Sequence, residues 1–534
     1  MQNVLKALRA NLILGGVAAF TVLLFGGWSG SMIGWLLGTA VGYLDTHEQS
    51  IPHPKVGLRI GAINGFALGL WVAAASLVEG LILRPLSGQA IVPLPQDLLH
   101  AVVGLAVTTV AAALMGAMQG LPRRRSKLAH QTTHGSLSRR QGTLLILAAI
   151  LLFFPFADRM AQTGWIATVI QVLIFAMLAL GLNIPVGYAG LLDLGYAAFF
   201  AIGAYTTGML SSPHLGIEWN FWLVIWIAAA VAAVAGLILG SPTLPLRGDY
   251  LAIVTLGFGE IVPIVFRNLT EIRIVEPISS LFATLLNRPE LAICLVGCEQ
   301  PFNLTNGETG INPIGRPWLP FIGSFSSTNY LPWYYLVLLL VIFSMFMINR
   351  LRNSRLGRAW TAIREDELAA SSMGINRVNV KLLAFAMGAT FSGFAGAFYA
   401  SYITAIFPSV FDFSVSVIIL CMVILGGLGN MIGVLLGCVI IMSADRLYLP
   451  QFAQVLKGFL NTTVLPNIAN PALRDFLAIS VDPIQMRLFL FGLVLVVMMI
   501  VRPEGLVPNS RRRAELHSED VVANESLADV RSVG

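Results

Sequence analysis

Ionisable side chains inside long apolar runs are the first residues in this sequence that call for a chemical explanation. Asp193 lies in Asn183-Ile184-Pro185-Val186-Gly187-Tyr188-Ala189-Gly190-Leu191-Leu192-Asp193-Leu194-Gly195-Tyr196. Pro185, Gly187 and Gly190 interrupt a helix there and free backbone groups that a zwitterionic solute could meet. Asn183 and Tyr188 add polar side chains to the same stretch. Glu260 lies about three helical turns into a run that opens with Arg247 and Asp249. A charge at such depth in a membrane is costly and defaults to a functional hypothesis. A structural partner on a neighbouring helix explains the same residues, so both readings stand. A third feature is Arg364-Glu365-Asp366-Glu367-Leu368-Ala369-Ala370-Ser371-Ser372-Met373-Gly374-Ile375-Asn376. It reads as a short helix with acidic residues where the dipole favours them and Gly374 as its stop. Leu368, Ala369 and Met373 give it a small apolar patch, suited to a groove on a soluble partner; an ordinary solvated loop is the competing reading.

Other chemistries find no support. No G-x-x-x-x-G-K-[ST] loop is present, so the chain does not cradle ATP phosphates itself. H-E-x-x-H and Cys/His metal spacings are missing, as are paired carboxylates or histidines of a membrane enzyme. The expectation is a non-enzyme with no metal or cofactor of its own.

These residues need elements to hold them. Of 534 residues, 56% are apolar and 11% charged, against about 25% charged in a soluble domain. Mean hydropathy is +0.79. That excludes a string of soluble domains and a disordered chain, and leaves an all-α polytopic membrane protein. The net charge of +6 marks cytoplasmic loops, not a nucleic-acid partner. Candidate spans are 10–27, 31–44, 57–83, 98–121, 142–157, 164–185, 190–211, 221–240, 249–267, 331–349, 381–404, 413–443 and 485–501. Arg and Lys crowd 122–141, 350–380 and the segment after 501, which places all three, and both termini, in the cytoplasm. Residues 268–330 then fall outside by parity.

Parity also requires 413–443 to begin and end outside. Gly426-Gly427-Leu428-Gly429-Asn430 splits it into halves of about 13 residues, each about 20 Å of helix, short for a core of about 30 Å. A re-entrant or broken helical hairpin is expected, with Gly426, Gly427 and Gly429 lining the pathway or its mouth, and one kinked span with a further crossing within 444–484 is the alternative. The chain divides into a four-span accessory module (1–121), a basic linker (122–141), a main membrane domain (142–508) and a disordered cytoplasmic tail (509–534). Asn268-Leu269-Thr270 recurs as Asn303-Leu304-Thr305, so about 271–302 reads as an external insertion. Its Cys294 and Cys298 are either a disulfide or two solitary thiols.

Gly181–Tyr205, Arg247–Asn268 and Leu356–Asn376, in that order, resemble the branched-chain amino-acid ABC importer permeases, M-type subunit. Val501-Arg502-Pro503-Glu504-Gly505-Leu506 is similar to that family's C-terminal signature, and the likeness covers roughly 142–508. The resemblance implies an importer in the bacterial inner membrane that carries branched-chain or other neutral amino acids. It also implies four kinds of partner: an H-type permease, two ATP-binding subunits that hold the ATP, a periplasmic substrate-binding protein, and membrane lipid. Arg364, Glu365, Asp366, Glu367, Ala369, Ala370 and Gly374 then correspond to the loop that couples to the ATPases. Asn183, Tyr188, Asp193, Glu260 and the glycines of 426–429 are the candidate pathway residues. The 1–121 module and the 271–302 insertion depart from the family pattern. A self-sufficient secondary transporter or channel, or a related urea permease, is the alternative.

The orientation is testable by single-cysteine labelling. An impermeant reagent should modify a cysteine near residue 310 in intact cells. Labelling only after permeabilisation would reverse the topology.

Overall fold

The computed structural model describes residues 151–159, 164–243, 249–270, 303–320, 323–326, 328–460, 486–501 and 505–507. It also describes the backbone of two short strands and single positions at 62, 66, 69, 70, 73 and 109. Expectations for 1–121, for 122–141, for Arg247, for the Cys294 and Cys298 side chains and for 509–534 lie outside the described residues. The chain forms two compact units, one of Ile166–Ala444 with Arg487 onward, the other of residues up to Trp165 with Asp445–Met486. In the second, residues 151–159 are helical, Trp165 N–H donates to Asp158 Oδ1, and a helix spans Leu449–Phe459.

The larger unit is helical. Its elements are α1 (Ile166–Leu182), α2 (Tyr196–Ser211), α3 (Phe221–Thr243), α4 (Asp249–Asn268), α5 (Tyr330–Arg352), α6 (Arg355–Glu365), α7 (Glu367–Ser372), α8 (Arg377–Ile403), α9 (Phe413–Gly426), α10 (Met431–Ser443) and α12 (Arg487–Val501); Leu449–Phe459 of the other unit is α11. Among the described residues, seven helices are long and apolar enough to cross a membrane. At 16 residues, α2 is shorter than expected, because helix resumes only at Tyr196 and not at 190.

The 27-residue α8 is the axis of the unit, with α1, α2 and α3 packed around it. Small residues permit the approach, as expected where lipid removes any hydrophobic drive between helices. A Cβ added at Gly393 would stand 2.7 Å from Ala232 Cβ and 2.8 Å from Ala229 Cα. Gly203 and Gly393 face each other at the crossing of α2 and α8.

Elements expected on one side of the membrane share one end of this unit. At the end expected outside, Ile311 pairs with Ile406, Ile314 N–H donates to Thr404 O, and Gly315 N–H to Ser211 O at 2.9 Å. The duplicated tripeptides stand together there: Leu304 N–H donates to Leu269 O at 3.0 Å. The segment between them leaves from a closed base, with β1 (Ile274–Val275) antiparallel to β2 (Cys294–Val296). A second small hairpin joins β3 (Trp318–Leu319) to β4 (Gly323–Ser324).

The split segment is a hairpin of α9 against α10, closed by backbone contact between Gly426 and Gly433. Its turn meets Asn183, close to where Arg364 of the 350–380 loop reaches Gly187. A 3-10 turn at Pro408–Phe411 lengthens the first half to a 19-residue stretch, Pro408–Gly426, long enough to cross. The segment is therefore a hairpin of helices broken at the glycines.

Overpacking the α3–α8 crossing should separate fold from function. Gly393→Leu is expected to destabilise the membrane domain by about 1–3 kcal/mol. Thermal unfolding in detergent measures it, and an unchanged midpoint would refute the close crossing.

Candidate functional site

Three broken segments and one loop meet at the end opposite the tripeptides. The first break follows α1. Pro185 lacks an N–H and cannot continue the i→i+4 ladder. The chain widens into a π turn over Asn183–Tyr188, and Leu191 N–H donates to Pro185 O at 2.8 Å. π turns inside helices are frequent at functional sites.

Arg364, from the last turn of α6, donates Nη1–H to the Gly187 carbonyl at 2.7 Å. Gly190, at φ +72°, leaves room for its stem: a Cβ there would stand 2.8 Å from Arg364 Cγ. Asn183 Oδ1 accepts from Gly429 N–H at 2.9 Å, joining the π turn to the α9–α10 turn. That turn uses φ +114° at Gly427 and +78° at Gly429, the left-handed region that favours glycine. The C-terminal strap completes the junction. Leu506 N–H donates to Leu425 O at 2.9 Å, Val507 N–H to Gly426 O at 3.2 Å, and Asn430 Nδ2–H to Val507 O at 3.0 Å. So the carbonyls of Ile184, Pro185 and Gly187 at the break are held by the protein itself. Asn183 Nδ2 and the Tyr188 hydroxyl stay buried without a hydrogen-bond partner, and Arg352 lies over the Tyr188 ring at 5.9 Å.

The loop helix α7 is built as its sequence suggests. Asp366 caps it, accepting from Leu368 N–H at 2.8 Å and Ala369 N–H at 3.0 Å. Gly374 at φ +83° ends it in a Schellman motif, Ile375 N–H donating to Ala370 O and Gly374 N–H to Ser371 O. Glu365, Asp366 and Ala369 are exposed, Ala370 is buried, and Leu368 and Met373 protrude at 65% and 84% exposure. Glu367 is tied within the chain. Its carboxylate bonds Lys381 Nζ at 2.7 Å and lies 3.7 Å from Arg377, so it ties α7 to α8 and does not simply face outward. Trp360, fully buried, fastens α6 to α8 through Nε1–H to Val380 O at 2.9 Å.

Asp193 stands between the π turn and α2. Its Oδ1 accepts from Gly195 N–H at 3.0 Å, while buried Oδ2 has no hydrogen-bond partner. It lines a small pocket with Phe199, Leu239, Thr255 and Phe258. Around it, Thr255 Oγ1 accepts from Leu194 N–H, Ser416 Oγ accepts from Ala197 N–H, and Tyr196 hydroxyl donates to Gly388 O. Glu260 does not join this group: Gly259 packs on Gly195, but Glu260 is exposed on the far side of α4. Sequence reasoning missed the Lys381 tie, Trp360 and the strap's docking place. The first had a legible signal, a lysine set just past an acidic helix; the others pair residues far apart in the chain.

A family model described as branched-chain amino acid transport system / permease component matches residues 165–499. The chain is 35% identical over 404 residues to the high-affinity branched-chain amino acid transport system permease protein LivM of Salmonella typhimurium, covering 72% of this chain and 79% of that protein. It is 26% identical over 350 residues to the probable LivM of Methanocaldococcus jannaschii, covering 63% and 90%. It is 22% identical over 284 residues to the permease protein LivH of Salmonella typhimurium, covering 51% and 81%. No solved structure matches.

Loss of the Glu367 tie should loosen α7 locally. Glu367→Gln is expected to speed hydrogen exchange across Glu367–Ser372 roughly ten- to a hundredfold, the equivalent of about 1.5–3 kcal/mol for a charged hydrogen bond. Unaltered exchange would mean the tie holds nothing.

Proposed function

This chain belongs to the family of branched-chain amino acid transport system permeases, and from that membership we propose how it works. It is a membrane-spanning permease component of an ATP-driven importer in the bacterial inner membrane, carrying branched-chain or other neutral amino acids. Its partners are an H-type permease, two ATPase subunits that bind the ATP, and a periplasmic substrate-binding protein. Both termini face the cytoplasm.

In this reading α7 is the surface that meets an ATPase. Leu368 and Met373 are the apolar knobs that seat in a groove on it, and Asp366 and Gly374 keep the short helix formed without its partner. The observation that carries the proposal is the Arg364–Gly187 hydrogen bond. It links the exposed loop to the π turn, and through Asn183 and Gly429 to the α9–α10 turn. The junction holds the cytoplasmic end of the pathway closed. When ATP binding displaces α7, Arg364 moves with it, the Gly187 carbonyl loses its donor, and the two turns can separate. Asp193 offers a carboxylate to the ammonium group of the passing amino acid, and Asn183 and Tyr188 offer their unpartnered groups as the turns part.

The assembled complex tests this. Leu368→Ser with Met373→Ser should weaken co-purification of the ATPases. Arg364→Ala should leave co-purification intact yet lower substrate-stimulated ATP hydrolysis and uptake of labelled leucine, isoleucine and valine roughly tenfold or more, as expected for a lost charge-assisted bond. Full coupling in both variants would show that the ATPases act elsewhere on the chain. Uptake of urea instead of amino acids in a deletion strain carrying this permease would overturn the substrate class.

A further inference from the structure

Glu260 remains unexplained by the junction. It is the twelfth residue of the 20-residue α4, so it lies about 16 Å along a helix of about 30 Å, near mid-membrane. It is exposed, on a stripe with Tyr250, Ile253, Gly257 and Ile264. A Cβ built on Gly257 meets nothing within 4 Å. The opposite face of α4, with Leu251, Thr255 and Gly259, is buried against its own unit.

Other exposed faces differ. On α3 the outward side chains include Trp222, Trp226, Val234 and Ile238, and on α10 Ile432, Leu436, Val439 and Ile440. Such faces suit acyl chains. A carboxylate on the central turns of a lipid-facing stripe does not, because hydrocarbon supplies neither water nor hydrogen-bond donors. Among the described helices of the larger unit that are long and apolar enough to cross a membrane, α4 alone carries an exposed carboxylate away from its ends. Protein or a water-filled passage must therefore cover this face, and the residues around Glu260 favour protein. Interfaces between membrane helices favour a small residue for close approach and a polar side chain that bonds across. Gly257 and Glu260, one turn apart on one stripe, supply both.

We propose that the α4 face bearing Tyr250, Ile253, Gly257, Glu260 and Ile264 is the contact surface for the second permease subunit, with Glu260 accepting a hydrogen bond from a donor on it. The inference rests on the reading above that this chain pairs with an H-type permease. The choice of occupant follows from the relatives, since the chain is similar to both LivM and LivH of Salmonella typhimurium. Two chains of one fold can bring corresponding helices together about a pseudo-twofold axis. The facing helix is expected to present Arg, Lys, Asn, Gln, Ser or Thr opposite Glu260 and small residues opposite Gly257.

The test uses the complete transporter in native-lipid nanodiscs. A benzophenone maleimide is attached to Gly257→Cys or Ile264→Cys, with Trp226→Cys on α3 as the lipid-facing control and the chain's four native cysteines replaced. Illumination should link this chain to the second permease from both α4 positions and only to lipid from Trp226→Cys. Lipid adducts from α4, adducts to residues 1–121 of the same chain, or free reaction of Gly257→Cys with a charged aqueous thiol reagent would each overturn the proposal. In parallel, Glu260→Leu should reduce recovery of the second permease roughly three- to tenfold, the range of a single interhelical polar contact, while Glu260→Gln keeps most of it. Equal recovery with both would remove Glu260 from the contact. Uptake by the unmodified complex is measured alongside: intact uptake without α4 cross-links rejects only this surface, whereas absent uptake rejects the transporter reading itself.

Discussion

The Arg364 guanidinium bonded to the Gly187 carbonyl is the contact on which the arrangement at the loop end depends. A carbonyl at the end of a π turn is short of a donor, and a membrane interior offers none. The donor arrives from a loop 177 residues further along the chain. Around this one bond the other close contacts fall into place: Gly190 is bare because Arg364 passes over it, and Gly429 is bare because Gly187 approaches it. The C-terminal strap then satisfies the last carbonyls of α9. Remove the guanidinium and a buried acceptor is stranded, at a cost of about 1–3 kcal/mol.

Backbone satisfaction also explains why the interruptions cluster. Non-helical backbone is tolerated at depth only where protein or water surrounds it. The breaks at 183–195 and 427–430 meet each other through Asn183 and Gly429, so each supplies part of the other's surroundings. Along the spans the same economy appears as glycine at helix crossings: Gly203 with Gly393, Gly236 beside Ala389, Gly426 with Gly433. Close contact replaces the solvent-driven attraction that lipid does not provide.

Asp193 and Glu260 show how burial separates residues of one chemical type. Asp193 is enclosed at 2% exposure, with one oxygen fixed by Gly195 and the other facing a pocket. Glu260 belongs to the helix packed directly on that loop, yet faces the other way. One faces into its own unit, the other away from it.

Much of this protein is written locally. Apolar length set the spans, because a bilayer demands about 20 apolar residues per crossing. Arg and Lys placement grouped the 350–380 loop with the segment after 501, and the described parts of both stand at one junction of the larger unit. The loop helix and its glycine stop at Gly374 were legible, because early acidic residues and a terminal glycine act through neighbours two to five residues away. What tertiary structure decided is everything that joins distant segments. Composition could not say that Glu367 turns back to Lys381, that Arg364 reaches Gly187, that the 427–430 turn meets the π turn through Asn183, or which side of α4 carries Glu260 outward. Each depends on how helices rotate and stack, and in lipid that is set by the fit of small residues across crossings, which no period within one helix reveals.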